Sequence, residues 1–100
     1  MSDPIYLIVN AIPNSNNMEE VQNYLSKIVP LFNTNGGEKI ERYKTIKQLM
    51  GNSGIVMFGV FQFPSIDVIE KMMLGTAFNS LTELRSKAFK QLDLMVCETF

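Results

Sequence analysis

Two short segments constrain the fold more than anything else in the chain. Ile5–Ile12 and Ile55–Phe63 are apolar at nearly every position. Both are far shorter than the ~20 residues needed to span a membrane. They are rich in β-branched and aromatic residues, and Pro4, Pro13 and Pro64 punctuate their ends. Runs of this kind read as strands with both faces covered. Strand alternation puts Ile5, Leu7, Val9 and Ala11 on one side and Tyr6, Ile8, Asn10 and Ile12 on the other. In the second run Ile55, Met57, Phe61 and Phe63 oppose Val56, Phe58 and Val60.

The remaining segments supply the partners. Asn17 and Glu20 have capping-box spacing, and Met18, Val21, Leu25, Ile28 and Phe32 then recur at helical intervals. Pro30 is expected to kink this helix or end it near Ile28, and Asn35-Gly36-Gly37 offers a C-cap. Glu38–Met50 reads as a strand joined to Ile55–Phe63 by the tight connection Gly51-Asn52-Ser53-Gly54, an antiparallel hairpin. Ser65 is placed to cap a helix through Ile66, Ile69, Met72 and Met73. Gly75-Thr76 interrupts it, and a second helical piece follows from about Thr76 to Gln91, with Ala77, Leu81, Leu84 and Ala88 on one face and Phe78, Phe89 and Leu92 extending it. Leu92–Phe100 is the last strand, with Leu92, Leu94 and Val96 opposite Met95 and Cys97.

The order β-α-β-β-α-β makes residues 1–100 a single α+β domain of ferredoxin-like type. Four antiparallel strands form one sheet with the helices on one face, and the first and third strands lie in the middle. One face then has no cover. With 46% apolar residues in 100, the bare face would expose several hundred Å² of hydrophobic surface, which monomers seldom tolerate. The simplest cover is the same sheet of a second copy, two sheets enclosing a barrel-like interior. A homodimer through the sheet faces is therefore expected.

Composition excludes much else. Nine Lys and Arg balance ten Asp and Glu, so no basic field exists for a nucleic-acid backbone. There is no His, no Trp and one Cys. A Ser-His-Asp triad, a proximal-His haem and the usual zinc sites cannot be built within one such chain, and no intrachain disulfide can form. No metal or cofactor is expected. No targeting segment is visible, so the expected location is cytoplasmic.

From FQFPSIDVIEKMMLGTAFNSLTELRSKAF the chain resembles the DUF1330 family of the dimeric α/β-barrel superfamily. The Phe63-Pro64-Ser65 corner, the broken helix, Ala77-Phe78, Leu81, Leu84, Arg85, Gly36-Gly37 and the strand ending at Glu98 carry the likeness. It departs from the family's usual residues at Phe78, Glu38 and Met50. The resemblance implies a ferredoxin-like dimer and no particular activity. Superfamily relatives include cofactor-independent monooxygenases and haem-degrading enzymes, and the latter rely on a His that this chain lacks.

Three polar residues stand out as candidates for contacting a ligand. Arg85, in an apolar helical segment, could fork onto a carboxylate or form a structural ion pair. Asn10, in a central strand, could orient a ligand with its amide or bond nearby backbone, and Tyr6 shares its face. Glu98 reads as a solvated strand end, Cys97 as an inert thiol and the Met residues as core filler. Lys39, Arg42, Lys44 and Lys47 read as charge protecting an edge strand, with a weak anion site as the alternative. The expected function is a homodimer that at most binds a small apolar or carboxylate-bearing molecule between sheet and helices. The alternative is a cofactor-independent monooxygenase-like enzyme.

Overall fold

The two apolar runs become the central strands of one sheet. In the computed structural model, which describes residues 4–14 and 18–100, the chain runs β1 (Ile5–Pro13), α1 (Met18–Thr34), β2 (Glu38–Lys44), β3 (Met57–Phe63), α2 (Ile66–Leu74), α3 (Thr76–Asn79), α4 (Thr82–Ala88) and β4 (Phe89–Cys97). The sheet order is β2-β3-β1-β4 and every pairing is antiparallel. This is the expected ferredoxin-like arrangement, with β1 and β3 inside. The helices cover the side bearing Leu7, Ala11, Phe61 and Phe63, all buried. Ile8 pairs with Val60 and Met95 on the side facing away from them.

Helix α1 buries Val21, Tyr24, Ile28 and Phe32 at intervals of three and four. Each apolar side chain so buried contributes about 1.5–3 kcal/mol, and that packing carries the helix past Pro30 to Thr34. The expected break at Ile28 does not occur. Pro30 is exposed, and the carbonyl it leaves unbonded, that of exposed Ser26, is on the solvent side of the helix. The helix ends instead at a Schellman motif: Gly37 N–H donates to the Phe32 carbonyl (2.8 Å) and Gly36 N–H to that of Asn33 (3.1 Å). Gly36 holds φ at 82°, which glycine adopts without steric cost. The Asn17–Glu20 capping pair lies outside the described residues, since position 17 is not among them.

Three other boundaries differ from expectation. β2 stops at Lys44 and β3 starts at Met57, so residues 45–56 form a long hairpin loop rather than a four-residue turn. Thr45 closes the ladder through its N–H to the Val56 carbonyl (2.8 Å) and its hydroxyl to that of Ile55 (2.8 Å). Beyond it Ile46, Leu49 and Met50 are almost wholly exposed. The second helical piece is split at Ser80-Leu81, and Ala77 is exposed while Phe78 is buried. Finally, β4 begins at Phe89, three residues early, because Pro13 pairs with Phe89 across a bulge. Asn14 ties this corner together, its side-chain amide donating to the Lys87 carbonyl (2.8 Å) and its N–H to that of Ala88 (3.0 Å).

Ser65 caps α2 as expected, accepting from Val68 N–H at 3.3 Å. Such a cap is worth about 1 kcal/mol. Among the described residues no helix is long and apolar enough to cross a membrane.

Candidate functional site

An apolar cavity of about 460 Å³ lies between α1 and the sheet. Its roof is Tyr24, Leu25, Ile28, Val29 and Phe32, the face of α1 turned to the sheet. Its floor comes from Val9 and Ala11 of β1, Met57, Gly59 and Phe61 of β3, and Leu92 and Leu94 of β4. Gly59 keeps that floor low. A Cβ there would stand 3.3 Å from Phe61 Cε1 and 3.8 Å from Val9 Cβ, so any larger residue would fill the space. At one side the lining passes to Arg42 and Lys44 of β2. Every residue of that strand is exposed, so the cavity is open along this edge.

The three polar residues singled out from the sequence are not gathered here. Tyr6 and Asn10 lie opposite Gln62 and Phe58, with Cys97 and Asp93 on their other flank, on the face turned away from the helices. They share that face, as alternation required, but neither lines the cavity. The Asn10 Oδ1 is buried and has no hydrogen-bond partner among the described residues.

Arg85 is engaged elsewhere. Its Nε donates to the Tyr24 hydroxyl (3.0 Å) and its Nη2 to the Phe78 carbonyl (3.2 Å). Its guanidinium carbon sits 4.2 Å from the Phe78 ring centroid and 5.5 Å from that of Tyr24. Tyr24 in turn meets Phe89 edge-on, centroids 5.4 Å apart. Burial pushes the Tyr24 hydroxyl above its ordinary pKa, only partly opposed by the hydrogen bond and charge of Arg85. The phenol is therefore neutral under ordinary conditions. Arg85 pins the cavity's wall from behind, through Tyr24, and does not reach into the cavity itself.

Glu98 follows the end of β4 and is exposed. Cys97 is half-buried on the face away from the helices, its Sγ 3.7 Å from the Met95 carbonyl. Among the described residues no cluster of three or more His, Cys, Asp or Glu could hold a metal. Sequence reasoning passed over Tyr24 and Gly59. Gly59 carried a signal, since a glycine inside an apolar strand marks a bulge or an approach by something else.

Comparison with solved structures supports the same fold at low sequence identity. A protein of unknown function from Rhodopseudomonas palustris superposes with a TM-score of 0.83 at 14% identity, covering 100% of this chain and 85% of that one. A Pseudomonas aeruginosa protein gives 0.72 at 12% identity, covering 100% and 97%. An ethyl tert-butyl ether d (ethd) family protein from Bacillus halodurans gives 0.69 at 17%, covering 97% and 99%. Among curated proteins none matches in sequence. With the fold and its cavity in place, the decisive match is the domain of unknown function DUF1330, whose family model spans residues 4–100: the chain belongs to the DUF1330 family.

Proposed function

We propose that the protein is a homodimeric binding protein that takes a small, largely apolar molecule into the cavity under α1. The cavity itself supports this reading most strongly. Its volume lies within the ~300–1,000 Å³ of small-molecule sites, and its walls are mainly aliphatic and aromatic. Among the described residues its lining contains no carboxylate and no thiol. Binding is thus better supported than a reaction that needs a general base in the pocket.

The dimer rests on a second observation. The chain exposes 6,940 Å², whereas a compact monomer of this mass exposes roughly 5,700 Å². It is a slab of 41 × 33 × 17 Å. The surplus, roughly 1,200 Å², exceeds the ~800 Å² per partner of a standard interface, and part of it belongs to the exposed 45–56 loop. The face away from the helices has an apolar centre at Ile8, Phe58 and Val60, with Glu38, Glu41 and Asp93 towards its margins. An apolar centre within a polar rim is interface anatomy.

Thermal shift with naphthol as an uncharged apolar probe tests the cavity. The melting temperature is expected to rise with naphthol in the native protein and to stay unchanged in Gly59→Val. Equal binding by both would overturn the reading. Sedimentation equilibrium should show a dimer at micromolar concentration and a folded monomer for Ile8→Glu. A monomeric native protein would remove the dimer.

A further inference from the structure

The charged residues of β2 are sorted by sign, and the sorting is produced by one irregularity in the ladder. Glu38 pairs with Gln62 and Lys39 with Phe61. The register then shifts between Lys39 and Glu41, so that Glu41 pairs with Val60, Arg42 with Gly59 and Lys44 with Met57. Phe61, Gly59 and Met57 belong to the helix-facing side of β3, and Gln62 and Val60 to the other. Ile40 is the extra residue, and it acts as a β-bulge does: everything after it changes side. As a result Lys39, Arg42 and Lys44 all stand on the cavity side, and Glu38 and Glu41 both stand on the opposite side.

Protection of an edge strand does not account for this. Charge of either sign on either side discourages unwanted strand pairing, so protection alone gives no reason to segregate the signs. Two of the three cations, Arg42 and Lys44, also line the cavity. Neither has a carboxylate within ion-pair distance among the described residues, where the ion pair found is Lys87–Glu83. The neighbouring Glu41 carboxylate accepts from the Arg42 backbone N–H at 3.0 Å and is thereby held to its own strand.

We infer that the ligand is an amphiphilic carboxylate, its apolar body under α1 and its carboxylate held at the open edge by Arg42 and Lys44. This rests on the cavity reading above and names the class of molecule that would occupy it. Arg42 offers a planar fork matched to a carboxylate, and Lys44, two residues along on the same side, adds a second positive charge. Both groups are exposed, so the gain is modest and sensitive to salt. The apolar walls supply most of the affinity and the charges select the acid over its neutral counterpart.

The test compares naphthol with naphthoate at neutral pH and low salt, measured by calorimetric titration on the native protein and on the double variant Arg42→Gln/Lys44→Gln. Naphthoate is expected to bind the native protein about tenfold more tightly than naphthol. The advantage should shrink with added salt and vanish in the double variant. Binding of naphthol with no preference for naphthoate would overturn the carboxylate inference and leave the cavity reading standing. A preference that survives in the double variant would also overturn it. Binding of neither probe would remove the cavity reading and this inference with it.

Discussion

The corner where α4 meets α1 and the open edge along β2 each present an arginine, and the fold uses them in opposite ways. Arg85 is consumed by its own protein: it donates to Tyr24 and Phe78 and stacks on the Phe78 ring. Arg42 makes no ion pair among the described residues, and its strand is exposed throughout. The difference follows from where the helices lie. They bring rings and carbonyls around Arg85, whereas none of the described residues roofs β2. An arginine in an apolar helical segment is thus the less available of the two, although its sequence context made it the more conspicuous.

The largest expected effect is in the core that lies between the two regions. Phe32 packs edge-on against Phe61 and Phe63, with centroids 4.8 and 5.6 Å away, and Phe32→Ala should cost about 3–5 kcal/mol by urea unfolding. A cost below about 1 kcal/mol would mean that this aromatic packing does not hold α1 to the sheet. Next in size is Arg85→Gln, expected to lose about 1–2 kcal/mol through its hydrogen bonds and stacking. A double-mutant cycle with Tyr24→Phe should be clearly non-additive, because the two side chains share one contact. Additivity would dissolve the corner as a unit.

A smaller effect should appear with pH. The Tyr24 hydroxyl has a raised pKa in the folded state, so the folded protein holds that proton more tightly than the unfolded chain does. Its contribution is complete below the ordinary tyrosine value of about 10 and is lost as pH rises through the folded value. Native protein should therefore lose more stability than Tyr24→Phe across that alkaline range, as read by urea midpoints. Identical slopes would contradict the burial of that hydroxyl. At the bottom of the scale, Arg42→Gln and Met50→Ser should each change stability by no more than about 0.5 kcal/mol. A large loss in Arg42→Gln would show that β2 spends its arginine on structure after all, and the contrast with Arg85 would be gone.

Much of the fold was legible in the chain because periodicity reports burial directly. The continuous apolar runs of β1 and β3 marked the central strands, and the three- and four-residue spacing of Val21, Leu25, Ile28 and Phe32 marked α1. Local rules were weaker where packing overrode them. Pro30 was expected to kink α1 or end it near Ile28, and the helix runs on to Thr34 with buried residues on both sides of the proline. Phe89 looked helical by spacing and joined β4 through its pairing with Pro13. The site was less legible still. Tyr6 and Asn10 were correctly assigned to one face of β1, but alternation says only that two residues share a side. It does not say which side the helices will cover.

By itself, the sequence determined the element order and the sheet with β1 and β3 at its centre. Those follow from composition and from the repeat lengths of helix and strand. Tertiary structure decided the cavity, because the space under α1 depends on how the helix seats above Gly59. It also decided the sorting of charge along β2. Simple alternation would set Lys39 beside Glu41 and Arg42 beside Glu38. The bulge at Ile40 reverses this, and a bulge is a property of two strands in register, which neither strand's own sequence spells out.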